Sequence, residues 1–210
     1  MMKEMKGDLL AVKEGVIAHQ VNCVGVMGKG IAKQIRQKLL TDAQFEHYKQ
    51  LCKTWGGHAL GTCYLDKVGD RKYVAHLFGE NIPTLKRIDT NYSALQNACT
   101  ELKLTAEQHN LPVAVPGYIG CGLAGGNWEF VYSDILVPTF KDFRPGFTIV
   151  YDMRAIKNLW SDFGNVPMDP ETERIEQKWH GFKPGTPREE IWHWFEKTFD
   201  LSVAEDLMNI

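Results

Sequence analysis

Apolar residues along this chain fall into short blocks whose period changes from one block to the next. Residues 16–21 form an apolar run, the loop at 22–30 holds Gly25, Gly28 and Gly30, and from Ile31 to Leu39 apolar positions recur at helical spacing. That order predicts strand, loop and helix. Thr41 with Gln44 three positions on has the form of a capping box, so a second helix is expected to run to about Trp55, where Gly56 and Gly57 stop it. Two β-prone runs, 60–66 and 72–78, flank Gly69-Asp70 and read as neighbouring strands or a hairpin. Residues 89–109 return to helical spacing through Tyr92, Leu95, Ala98, Cys99, Leu102 and Ala106. A buried strand at 113–116 then leads into a second glycine-rich loop, 117–126, a helix from about Trp128 and a last strand at 147–151.

Strands alternating with helices predict an α/β fold, a mostly parallel or mixed sheet covered by helices on both faces, with ligands at the carboxyl ends of the strands. Both glycine-rich loops fall there. From about Ser161 the composition shifts to a linker rich in Gly and Pro, so the chain is divided into a domain at 1–160 and a linker with a helical appendage at 161–210. In that appendage Thr186-Pro187-Arg188-Glu189 forms a capping box ahead of Ile191, Trp192, Trp194, Phe195 and Phe199, and Ser202 opens a final short helix. Trp192, Trp194 and Phe195 cannot share one helix side, so this helix packs on two faces or meets a partner.

A length of 210 residues is enough for one core that needs no staple. The net charge of −2 argues against wholesale attraction to nucleic acid or to an anionic membrane, while leaving room for a local basic patch. Five scattered cysteines without zinc spacing suggest neither a disulfide framework nor a metal site, and no cofactor is expected. The first residues lack the apolar core of a signal peptide and no stretch is long and apolar enough to span a bilayer, so a cytoplasmic protein without membrane contact is expected.

The chemistry concentrates in the two loops. Glycine lets backbone N–H groups turn toward a ligand oxygen, and a helix N-terminus adds partial positive charge in the same place. Gly28-Lys29-Gly30 ahead of Ile31 is such an arrangement, although it is neither a Rossmann fingerprint nor a Walker A loop. One such loop alone is as well explained by a tight turn. Two at one sheet edge make a clamp for a pyrophosphate. Cys121, between glycines, is a nucleophile only if a histidine is positioned beside it, and small buried cysteines are common.

Lys6-Gly7-Asp8-Leu9-Leu10, the stretch from Val21-Asn22-Cys23 through Gly28-Lys29-Gly30-Ile31-Ala32, and Pro116-Gly117-Tyr118-Ile119-Gly120-Cys121-Gly122-Leu123 followed by Asn127-Trp128-Glu129 closely resemble macro domains. The resemblance covers about residues 1–155 and is nearest the branch with terminal ADP-ribose glycohydrolase, DNA ADP-ribosyl glycohydrolase antitoxins and ADP-ribose-1''-phosphate phosphatases. It implies a three-layer α/β/α fold around a mixed central sheet, with ADP-ribose or an ADP-ribosylated protein or nucleic acid as partner. By the same resemblance Asp8, after a first short strand and beside Leu9, would accept from the adenine amino group, and Asn22 would hold the distal ribose hydroxyls. Val26, Met27, Gly28, Lys29, Gly30 and Ile31 would line the first loop, and Gly120, Cys121, Gly122, Leu123 and Ala124 would wrap the phosphates.

The chain departs from that branch at two positions. Glu80 falls where the glycohydrolases place a lysine after the central strand, and Ala124 stands where one member has an acidic residue. The catalytic candidates are therefore Asn22, Glu80, which could activate water, and Lys86, which would have to fold back. His19 and His76 are further candidates, though a lone strand histidine is more often packed. Two functions stay open: hydrolysis of a group attached to the distal ribose, whether phosphate, protein side chain or nucleobase, and non-catalytic reading of ADP-ribose. The appendage resembles a short stand-alone family of phage and bacterial proteins, which implies such an origin, and a host cytoplasm if phage-encoded.

Overall fold

The computed structural model describes residues 2–84 and 88–152. Lys86 and the appendage at 161–210 lie outside the described residues. Six strands form one sheet in the order β1-β6-β5-β2-β4-β3. They are β1 (Met2–Lys6), β2 (Gly15–Asn22), β3 (Cys63–Lys67), β4 (Lys72–Glu80), β5 (Val113–Pro116) and β6 (Phe147–Tyr151). Every pairing is parallel except β3 with β4, so the sheet is mixed.

Side-chain alternation builds a core on each face. Val16 and Ala18 of β2, Ala75 and Leu77 of β4, Val113 and Val115 of β5 and Phe147 and Ile149 of β6 pack against α3 (Tyr92–Gln108) and the helical stretch α4 (Trp128–Phe130), the π-helical turn Val131–Leu136 and α5 (Val137–Phe140). Ile17, Val21, Val74, Phe78, Ala114 and Val150 point the other way, toward α1 (Gly30–Lys38) and α2 (Asp42–Trp55). This is the three-layer arrangement expected from the sequence. The capping box of α2 is present, with Gln44 N–H donating to the Thr41 hydroxyl at 3.2 Å and Thr41 N–H to the Gln44 side chain at 2.9 Å.

Three boundaries differ from the sequence pattern. The expected strand at 60–66 opens only at Cys63, because Gly61 turns the chain at φ +90. The helix expected from Asp89 starts at Tyr92, because Asn91 caps it by accepting from Ala94 N–H at 3.0 Å. The strand expected to end at Phe78 continues to Glu80, which pairs with Asn22 across a register shift. That extension brings Glu80 to the end of the sheet where the loops lie. Among the described residues no helix is long and apolar enough to cross a membrane.

Candidate functional site

Neighbouring strands β2 and β5 send their chains to opposite faces of the sheet, β2 to α1 and β5 to α4. Such a divergence leaves a crevice at the carboxyl edge that side chains of neither layer fill. A cleft of about 450 Å³ opens there, walled by both glycine-rich loops. This volume suits a small organic ligand. Its lining runs from Leu9, Val150 and Asp152 on the β6 side, past Gln20, Asn22 and Pro116 at its floor, to Glu80 and Pro83 on the β4 side.

Loop 1 is held rigidly from α2. Tyr48, fully buried, donates its hydroxyl to the Asn22 carbonyl at 2.8 Å. The Asn22 side chain in turn accepts from Val24 N–H at 3.2 Å and Val26 N–H at 3.1 Å and donates to the Val26 carbonyl at 2.8 Å. Those bonds use the N–H groups at the start of the loop and leave the later ones. No side chain caps α1, and the N–H groups of Gly30, Ile31 and Ala32, three residues that line the cleft, have no partner among the described residues.

Loop 2 sorts its donors in the same way. Ile119, Cys121, Gly125 and Gly126 donate to carbonyls within residues 116–122, while the N–H groups of Gly120, Gly122, Leu123 and Ala124 have no acceptor among the described residues. All four of these residues line the cleft. Two sets of N–H groups without acceptors on residues lining one cleft, one of them at a helix N-terminus, suit an anion.

Glycine is required where loop 2 folds tightly. Gly120 sits at φ +75, and a Cβ there would stand 2.7 Å from Gln20 Oε1. A Cβ on Gly126 would stand 2.5 Å from the Gly120 carbonyl oxygen. Gln20 Nε2 donates to the Thr90 hydroxyl at 3.0 Å, and that hydroxyl donates to the Gly120 carbonyl at 2.5 Å. Loop 2 is thereby tied to the middle of β2. Tyr118 adopts φ +64, a strained conformation for a bulky residue, with its ring packed on Trp128 at 5.1 Å and Tyr151 at 6.0 Å.

Burial, and then the nearby charge of Asp89, push the Glu80 carboxyl up to about 7. The like charge comes from the protein itself and adds to desolvation. Cys23, beside Glu80, is pushed up to about 11, chiefly by burial and then by Cys52 and Glu80.

The structure gathers most, though not all, of the residues singled out by sequence. Leu9, Asn22, Val26, Met27, Gly28, Lys29, Gly30, Ile31, Glu80, Gly120, Gly122, Leu123 and Ala124 line one cleft. Asp8 is not among the lining residues; its carboxylate accepts from Leu10 N–H at 2.8 Å and caps the 3₁₀ turn Leu9–Ala11. The carboxylate that does line that end is Asp152, which sequence reasoning missed. Cys121 points into the core, with its thiol on the Ile119 carbonyl at 3.3 Å and its N–H on the Tyr118 carbonyl at 2.9 Å. Its neighbours carry the loop's contribution instead. Asn22 spends most of its amide on loop 1, which leaves one of its two N–H donors for a ligand.

His19 and His76 are core groups outside the cleft lining. Asp66 Oδ2 accepts from His76 Nε2 at 2.9 Å, and His76 Nδ1 lies 3.0 Å from His19 Nε2. Burial, followed by His76, holds His19 well below the usual imidazole range, and it is neutral. Gln20 and Thr90 gave no signal in the sequence, because their roles arise from strands and loops distant along the chain. Among the described residues no group of three or more His, Cys, Asp or Glu could hold a metal ion.

Comparison with known proteins gives one consistent answer. The family model described as "Macro domain" matches residues 18–133. "DNA ADP-ribosyl glycohydrolase" of Mycobacterium tuberculosis is 31% identical over 148 residues, covering 69% of this chain and 40% of that protein. The chain thus spans well under half the length of the curated relatives it matches. The structure "Macrodomain of Mycobacterium tuberculosis DarG" superposes with a TM-score of 0.62 at 27% identity, covering 72% of this chain and 97% of that one. "Thermosipho africanus DarTG in complex with ADP-ribose" shares the fold, with a TM-score of 0.58 at 19% identity over 70% of this chain and 40% of that one.

Proposed function

The chain belongs to the macro domain family, and from that footing we propose that it binds ADP-ribose in this cleft and hydrolyses the bond between the distal ribose and an attached group. The observation that carries the reading is the pairing of two N–H cradles with Glu80, a carboxylate near neutrality at the end of β4. The cradles fit a pyrophosphate between them, so a ligand with a sugar on each side extends toward Asp152 at one end and Glu80 at the other. A relative named for glycohydrolysis of ADP-ribosyl groups on DNA supports the same chemistry.

Glu80 takes a proton from water as the water oxygen forms its bond to C1'' of the distal ribose. The C1'' bond to the leaving group breaks with its electron pair on that group, and the Glu80 carboxyl returns the proton to it. One water is consumed. A carboxyl titrating near 7 serves both halves of this exchange at neutral pH. The nearby carboxylate also stabilises the cationic, oxocarbenium-like state on the way.

Non-catalytic reading of ADP-ribose is the second function, favoured by the absence of a lysine at position 80 and of an acid at Ala124. Calorimetric titration of the full chain with ADP-ribose, followed by product analysis after incubation with ADP-ribosylated DNA and protein, separates the two. Binding with release of ADP-ribose is expected; binding without release supports the reader, and no binding overturns both.

A further inference from the structure

Charge is spread unevenly along this chain. The whole sequence carries −2, yet residues 29–55, which hold the end of loop 1, α1 and α2, contain six lysines and arginines against two acids, a surplus of four positive charges. Helical spacing gathers most of them. Lys29 at the α1 N-cap, Lys33 and Arg36 follow at i, i+4 and i+7, and Lys49 and Lys53 at i and i+4 on α2, so each set shares one helix side. The two rows meet at Phe45, whose ring centroid lies 4.5 Å from the Arg36 guanidinium carbon and 5.5 Å from Lys49 Nζ. The two acids, Asp42 and Glu46, pair with Arg36 and Lys49, while Lys33 and Lys53 extend as exposed side chains.

This cationic track starts at the cleft and returns to its rim. Lys29 lines the cleft. Lys49 stands against loop 1, where a Cβ on Gly25 would meet its Cα at 3.4 Å. Two residues past Lys53, Trp55 ends α2, and a Cβ on Gly57 would stand 3.6 Å from Oδ1 of Asn81, the residue after Glu80. Cys23 N–H donates to the Asn81 carbonyl at 3.0 Å, which brings Val24 to the same rim. Val24, Ile82 and Trp55 are 44–56% exposed. A group that leaves the cleft beside Glu80 thus meets apolar and aromatic surface with lysines next to it.

We propose that this surface, from Lys33 past Phe45 to Lys53 and Trp55, holds a single-stranded nucleic acid to which ADP-ribose is attached. This rests on the reading that the N–H cradles hold the pyrophosphate, so that the distal ribose and its attached group face Glu80. A phosphate at every nucleotide matches a row of cations, and an exposed indole offers a base a stacking face, the combination by which proteins hold single strands regardless of sequence. A duplex keeps its bases stacked inside and gives Trp55 nothing to stack on. An acidic peptide would match the charge alone and leave Val24, Ile82 and Trp55 in water.

Fluorescence anisotropy of the full chain with a labelled oligothymidine of about twelve nucleotides, free of ADP-ribose, tests the surface apart from the cleft. Binding is expected, weakening about fifty-fold between 50 and 200 mM salt as four charges meet phosphates. Lys33→Glu combined with Lys53→Glu should weaken it at least about ten-fold at 50 mM salt, and Trp55→Ala at least about five-fold. Calorimetry should give both variants the wild-type Kd for ADP-ribose, since none of the three residues lines the cleft. Absence of oligonucleotide binding at 50 mM salt, or binding that neither variant weakens, overturns the surface and leaves the proposed function standing. A duplex or a polyglutamate bound as tightly as the single strand overturns the choice of partner. Failure of ADP-ribose itself to bind overturns the underlying reading as well.

Discussion

Glu80→Gln should stabilise this protein at alkaline pH while removing its turnover. In the folded chain the carboxyl titrates near 7, against an ordinary value of 4.5, because burial and Asp89 disfavour its charge. Below 4.5 the group is protonated in both folded and unfolded chains and contributes nothing that varies with pH. Between 4.5 and about 7 the unfolded chain releases the proton while the folded chain retains it, so stability falls as pH rises. Above about 7 the loss is complete. At about 1.36 kcal/mol per pH unit the full interval is worth about 3.4 kcal/mol, and solvent screening of a half-buried carboxyl reduces it to about 2 kcal/mol. Glutamine carries no charge at any pH and escapes this loss. Urea unfolding of both proteins at pH 5 and pH 8 should therefore show near-equal midpoints at the lower pH and an advantage of about 2 kcal/mol for the variant at the higher. A difference that does not change with pH, or a variant less stable at pH 8, would refute the reasoning. A stabilising substitution that abolishes product release would mark Glu80 as a residue kept for its chemistry.

Four further substitutions separate the site from the scaffold. Gly126→Ala drives a Cβ to 2.5 Å from the Gly120 carbonyl oxygen, so it should cost about 1–3 kcal/mol and weaken ADP-ribose binding at least about ten-fold by calorimetry; Gly56→Ala, strained at φ +50 with nothing within 4 Å, should cost a similar amount and leave affinity unchanged. Tyr48→Phe withdraws the hydroxyl that donates to Asn22, with an expected loss of about 1 kcal/mol in thermal or urea unfolding and a several-fold rise in the Kd for ADP-ribose as loop 1 loosens. Asp66→Ala leaves the buried His76 Nε2–H without its acceptor, so unfolding should become easier by about 1–3 kcal/mol, while the ADP-ribose Kd stays within about two-fold because neither residue lines the cleft.

Local pattern was enough for most of the elements. The capping box at Thr41 and Gln44, the apolar runs at 113–116 and 147–151 and the helical spacing from Tyr92 to Ala106 are short-range signals, and each stands where the sequence puts it. The glycine-rich loops were legible for the same reason, since glycines bunched between a strand and a helix have few other uses. The edge strand β1, with its mostly exposed residues, was legible only through the resemblance that puts a short strand before Asp8.

Tertiary structure decided which member of each local group faces the cleft. Asp8 and Asp152 are both carboxylates just past strand ends, and only the packing of Leu9 against the cleft wall and the capping of Leu10 N–H by Asp8 distinguish them. Cys121 and Gly122 are neighbours in one loop, but the turn closed by Cys121 N–H on the Tyr118 carbonyl sends one inward and leaves the other on the cleft. His19 and His76 are catalytic candidates or packed strand residues by sequence, and the registers that pair β2 with β4 and β4 with β3 decide for packing by linking them to Asp66. The perturbed titration of Glu80 follows from two further strand residues, a register shift against Asn22 and the approach of Asp89. Sequence by itself determined the elements and the chemistry on offer, because turn preference and side-chain period act over a few residues. Orientation, burial and charge depend on residues far apart in the chain, and only the folded sheet brings those together.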